Sequence, residues 1–113
     1  MHLSRNTVER ILRSESPHLR RRGVDVSATL ICTVEEGAAC RFGTGNWNDP
    51  VLCSLLPGMI QELGWKAIEH AARREAMIRC RAPDADPARA TCEIDVGNGW
   101  EALPIVDTPV EGG

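Results

Sequence analysis

The residues of this 113-residue chain with the most chemistry to offer are its five cysteines. Cys32, Cys40, Cys80 and Cys92 form two separated pairs, and a tetrahedral zinc asks for four S or N ligands of this kind. The spacing argues otherwise, because neither pair is a Cys-x-x-Cys knuckle and all four lie in segments that read as strand centres. Free cysteine behaves as a small hydrophobe, so core positions are the expected role of all four. A cysteine nucleophile would need a base within hydrogen-bond reach, yet His2, His18 and His70 stand in no local signature and read as surface histidines. Glu35/Glu36 and Asp84/Asp86 fall in turns, where solvation is the ordinary reason for carboxylates. Asp95 before Gly97-Asn98-Gly99 lacks the spacing of a calcium loop, and Gly43-Thr44-Gly45-Asn46 lacks the Gly-Lys-Ser/Thr of a phosphate loop. No catalytic residue, metal or cofactor is expected.

The odd cysteine count, together with a polar start (Met1-His2-Leu3-Ser4-Arg5-Asn6) that is no signal peptide, predicts reduced thiols and a cytoplasmic location. No apolar run approaches the roughly 18 residues of a membrane span. Twelve arginines against a single lysine, with abundant alanine, point to a GC-rich bacterial genome.

Two stretches read as one phrase written twice. Cys40-Arg41-Phe42-Gly43-Thr44-Gly45-Asn46-Trp47 and Cys92-Glu93-Ile94-Asp95-Val96-Gly97-Asn98-Gly99-Trp100 each run from a cysteine in a half-apolar strand through a Gly/Asn turn to a tryptophan. With one Phe and no Tyr, Trp47, Trp65 and Trp100 carry nearly all the aromatic content. They are the candidate ligand-binding residues, as an apolar rim for a small molecule or a partner side chain. The competing and favoured expectation is that they plug one end of the core.

Charge is segregated. Residues 1–22 carry six arginines (Arg5, Arg10, Arg13, Arg20, Arg21, Arg22) against Glu9 and Glu15, a net +4, and the rest carries seven Lys/Arg against fourteen Asp/Glu, a net −7. A basic helix lying on an acidic body or in a dimer contact accounts for this, and those six arginines are also the candidate nucleic-acid contacts. Ser4-Arg5-Asn6-Thr7-Val8-Glu9-Arg10-Ile11-Leu12 resembles the recognition helix of helix-turn-helix regulators and transposases. That resemblance implies a helix entering the major groove; the helix and turn that precede it in those families have no counterpart in this sequence.

The positioning elements follow from periodicity. Val8, Ile11 and Leu12 at helical spacing predict an amphipathic helix from Ser4 or Asn6 to about Glu15, with Ser16-Pro17 ending it or starting a further turn through Leu19 that stops at Gly23. Residues 24–34 are β-branched and predict a strand. A three-residue loop, Glu35-Glu36-Gly37, then sets Cys32 opposite Cys40 on a second strand ending near Gly43. Asp49 as cap and Pro50 as first helical residue predict a short helix to Leu56, broken at Pro57-Gly58. A main helix is expected over 58–76, with Ile60, Leu63, Ala67 and Ala71 as its stripe and Met59, Ile68 and Ala72 beside it. Met77–Ala82 and Thr91–Val96 predict a second hairpin with Arg79 and Arg81 against Glu93 and Asp95 on its wet face, and 100–106 a last short strand.

The order α-β-β-α-β-β gives an α+β fold: one two-layer domain over 1–106, a mostly antiparallel sheet of four to five strands with helices on one face, and a flexible tail over 107–113. The function this predicts is binding rather than catalysis, as a homo-oligomer or with a protein partner. The alternatives are a nucleic-acid accessory role for the N-terminal helix, and a small-molecule binder or enzyme with a tryptophan-lined pocket. No membrane contact is expected.

Overall fold

The computed structural model describes residues 1–17, 19–35, 37–47, 49–64, 66–69 and 74–107. Trp65, His18, His70, Glu36, Ala71, Ala72 and the tail beyond Asp107 lie outside the described residues. In chain order the elements are β1 (Leu3–Ser4), α1 (Arg5–Glu15), β2 (Val26–Thr33), β3 (Ala39–Phe42), α2 (Pro50–Leu63), one-turn α3 (Lys66–Glu69), β4 (Glu75–Ala82), β5 (Thr91–Asp95), β6 (Glu101–Leu103) and β7 (Ile105–Val106). The fold is α+β, as the sequence predicts: a five-stranded sheet in the order β3-β2-β4-β5-β6, antiparallel throughout, with the helices packed against it.

Helix α1 starts where its cap dictates. Ser4 is extended (φ −74°, ψ 151°) and its Oγ accepts the Thr7 N–H at 3.2 Å. In a capping box the residue three positions into the helix would return the favour to the Ser4 N–H. Thr7 is too short for that, and the Glu62 carboxylate, arriving from α2, accepts the Ser4 N–H instead, together with the Thr7 hydroxyl at 3.1 Å. Val8, Ile11 and Leu12 are completely buried, each burial stabilising by about 1.5–3 kcal/mol. The helix stops at Glu15; the chain from Leu19 to Gly23 is not helical, because Arg20 takes a left-handed φ of 74° and sends its N–H to the Ala85 carbonyl at 2.7 Å.

The second helical region departs most from expectation. Asp49 caps α2, accepting the N–H groups of Val51 (2.9 Å) and Leu52 (3.1 Å), and Pro50 opens it, as read from the sequence. The helix then runs straight through Pro57 instead of breaking there. Pro57 and Cys53, whose carbonyl loses its helical N–H partner, both lie on the exposed side, where water can replace the missing donor. The inward stripe is Leu52, Leu55, Met59 and Leu63, and Gly64, at φ 65°, ends the helix well short of residue 76. Chain from Glu75 onward belongs to β4.

Pairing of Cys32 with Cys40 agrees with the three-residue loop, and Gly37 supplies the left-handed position at φ 95°. Inner strands β2 and β4 join the two hairpins with Leu30 opposite Ile78 at the middle. The sequence reading missed a second, two-stranded parallel sheet, in which Leu3 pairs with Ile105 and Ser4 with Val106. It ties the two ends of the described chain together beneath α1, with Leu3 fully buried.

The expectation of reduced thiols is overturned. Cys32 is joined to Cys40 and Cys80 to Cys92, leaving Cys53 as the free, exposed thiol among the cysteines. The strand positions were read correctly; direct opposition on the same face, with Cα atoms 4.1 Å apart in each pair, brings the sulfurs within bonding reach. Buried core residues and disulfide partners are here the same four side chains.

Candidate functional site

Alternation along the strands divides the sheet into two unlike faces. Val26, Ala28, Leu30 and Cys32 of β2, Ala76, Ile78, Cys80 and Ala82 of β4, and Cys92 and Ile94 of β5 point to the helices and are buried. Their neighbours point the other way, and no described element packs over them. Across this uncovered face, from one strand end to the other, the register gives four rows: Ala39, Thr33 and Glu75; Arg41, Ile31, Met77 and Asp95; Thr29, Arg79, Glu93 and Ala102; Ser27, Arg81 and Thr91.

Two of the three candidate tryptophans belong to this face. Each stacks on an arginine, with the Arg41 guanidinium 5.3 Å from the Trp47 ring centre and that of Arg79 3.9 Å from Trp100. The Arg79 Nε also donates to Glu93 at 3.0 Å across the strand pair, the contact expected from the alternation. Arg41 is fixed at its turn by donating to the carbonyls of Phe42 (3.2 Å) and Gly43 (2.9 Å). Trp47 is 43% exposed and Trp100 half-buried, so neither plugs the core. An arginine on an outward position gives each indole a surface to lie on.

The near-repeat in sequence becomes a geometric one. Counting from the central Leu30–Ile78 pair, Cys32 lies one same-face step toward one end of the sheet and Cys80 one step toward the other. The two disulfides therefore sit symmetrically on the covered side, while of the two Arg–Trp stacks on the uncovered side one is at the edge strand β3 and the other on the central strand β4.

Beside Trp47, a depression of about 530 Å³ is bordered by Thr33, Glu35, Gly37, Ala39 and Glu75. The Glu35 and Glu75 carboxylates have no hydrogen-bond or ion-pair partner among the described residues. The far end of the same face is basic, with Arg81 exposed on β4.

The six N-terminal arginines do not form one surface. Arg5 donates to Asp107 and to the carbonyls of Pro87 (2.9 Å) and Ala88 (3.3 Å). Arg13 and Arg20 converge on Glu9, and Arg10 reaches the Ser54 hydroxyl at 3.3 Å. Arg21 is exposed, and Arg22 borders a polar depression with Arg20, Asp84 and Asp86. Much of the basic segment thus holds α1 and its following turn to the rest of the domain. Among the described residues no three His, Cys, Asp or Glu side chains converge as a metal site would require, and no described helix is long and apolar enough to cross a membrane.

Fold and face together define a small α+β domain whose antiparallel sheet is roofed by helices on one side and, among the described residues, bare on the other. No family model, no curated protein and no solved structure matches this chain.

Proposed function

We propose that the protein is a non-catalytic association domain that binds through the uncovered face of its sheet, with a second copy of itself as the partner. The observation that carries this reading is the content of the face: Trp47, Trp100, Met77 and Ile31 lie together among arginines on a surface that no described element covers. Aromatic residues, Met and Arg are the types enriched where proteins meet. The internal pairing of Arg5, Arg13 and Arg20 favours this face over the N-terminal helix as the binding surface. Sedimentation velocity across the micromolar range tests it. A concentration-dependent dimer is expected for the natural chain, and Met77→Arg, at the middle of the face, is expected to leave a folded monomer. A chain that stays monomeric throughout, or a dimer indifferent to Met77→Arg, would sink the reading.

Two disulfides support an oxidising compartment over the cytosol that the sequence predicts, since structural disulfides persist mainly outside the reducing interior of cells. Alkylation of freshly extracted protein before any reduction should label Cys53 alone. Labelling of all five cysteines would return the protein to a reducing compartment.

A further inference from the structure

We infer that the depression beside Trp47 is the receptor for Arg81 of a second copy, so that two chains pair face to face about a two-fold axis that crosses the strands. The inference rests on the association reading above and deepens it by naming the register and the contact. Glu35 and Glu75 bring two carboxylates to the rim without a partner of their own among the described residues, and Trp47 brings an aromatic wall. Carboxylate and indole together are the groups that recognise a guanidinium. Arg74 approaches the same end of the sheet, but its guanidinium donates to the Val34 carbonyl at 3.3 Å.

The cation that fits is at the other end of the same strand. Arg81 stands exposed between Ser27 and Thr91 and makes no ion pair among the described residues. Six residues of extended chain separate it from Glu75, about 20 Å, beyond reach within one molecule. An axis crossing the strands reverses strand direction between copies and lays each Arg81 on the Glu75 end of the other. An axis parallel to the strands would instead set Arg81 on Arg81 and Glu75 on Glu75, which like-charge repulsion disfavours. Met77 and Ile31, in the row beside the axis, would then face Arg79 and Thr29 of the other copy across it. Strands of 4, 8, 8, 5 and 3 residues, at about 3.3 Å per residue and about 4.8 Å apart, give a footprint of roughly 440 Å² per chain, below the ~800 Å² per partner of a standard stable complex, so the dimer should be of micromolar strength.

Charge exchange tests the register. Arg81→Glu and Glu75→Arg are each expected to weaken dimerisation roughly tenfold or more. The double variant Arg81→Glu/Glu75→Arg is expected to recover most of it, because both contacts are remade with signs exchanged. The two positions are about 20 Å apart within a chain, more than two Debye lengths at physiological salt, so recovery in the double variant reports a contact between copies. Single variants that dimerise like the natural chain, or a double variant no better than the singles, overturn the inference. If Met77→Arg still dissociates the dimer in either case, association through the face stands with a different register. A natural chain that is monomeric throughout overturns both.

Discussion

Strands β2 and β4 build two surfaces from alternate residues of the same few segments, and those surfaces have opposite physical characters. On the covered side of β4, Ala76, Ile78, Cys80 and Ala82 are at most 2% exposed; on the other, Glu75, Met77, Arg79 and Arg81 are all exposed. Adjacent residues in sequence thus answer to different constraints. A substitution at an even position of β4 acts on folding, and one at an odd position acts on whatever meets the face.

Ile78 and Met77 give the sharpest form of that contrast. Ile78→Ala removes a fully buried side chain from the central strand, where Leu30 and Ile94 flank it and cannot close the gap. It should lower the unfolding free energy by about 2–5 kcal/mol in urea titration. Met77→Ala, one residue away, should stay within about 0.5 kcal/mol of the natural chain. Equal losses at the two positions would mean that the outer face is covered after all.

Disulfide removal should come next in size. Replacing Cys80 and Cys92 together by Ala should cost about 2–4 kcal/mol. The Cys32/Cys40 pair should cost a few tenths less on the chain-entropy account, because its sequence separation is 8 rather than 12. Denaturation with and without reductant separates this from packing loss: each Ala variant should respond to reductant only through its remaining bridge, and a variant with both pairs replaced should not respond. A natural chain equally stable in both would deny the crosslinks any part in stability.

Glu62 probes the helical layer behind the covered face. Its carboxylate accepts both the Ser4 N–H and the hydroxyl of Thr7, which is 6% exposed. Glu62→Ala leaves the first turn of α1 without that acceptor and should cost about 1–2 kcal/mol, with amide exchange accelerated at Ser4 and Thr7 ahead of the sheet. Uniform acceleration across the whole chain would mean instead that α1 and the sheet unfold as one unit.

How much of this was legible in the sequence depends on whether the signal was local. The β-branched run of β2, the alternation in β4 and β5, the Asp49 cap and the register set by the loop at Gly37 are all decided within a few residues, and the structure agrees with each. The end of α2 was misplaced because the eye follows Ile60, Leu63, Ala67 and Ala71, a pattern that carries on past Gly64 while the backbone turns left-handed there. Pro57 was overweighted because a proline on the exposed side of a helix leaves only a solvent-facing carbonyl without its partner. The pairing of β1 with β7 joins residues about a hundred positions apart and leaves no local trace. The loop length sets Cys32 opposite Cys40 in the sequence, but nothing local sets Cys80 opposite Cys92, and neither the odd cysteine count nor a polar start speaks to sulfurs that register brings together. For the candidate site, the types Trp47 and Trp100 were visible; that they stand on the outer face followed only from Arg41 and Arg79 beneath them.

The smallest effect separates the two tryptophans. Trp100 lies 3.9 Å from the Arg79 guanidinium, whose Nε is also held by Glu93, whereas Trp47 lies 5.3 Å from Arg41. A double-mutant cycle over Trp100→Leu and Arg79→Met should give a coupling of about 0.5–1 kcal/mol, and the same cycle over Trp47 and Arg41 should give less. The order reverses for association: Trp47→Leu should weaken the dimer more than Trp100→Leu, because the ring that spends less of itself on its own arginine is the one beside the unpaired carboxylates. Sedimentation of both variants at one concentration decides this. Equal weakening would mean that the two stacks contribute alike, and that the depression beside Trp47 has no special part in the contact.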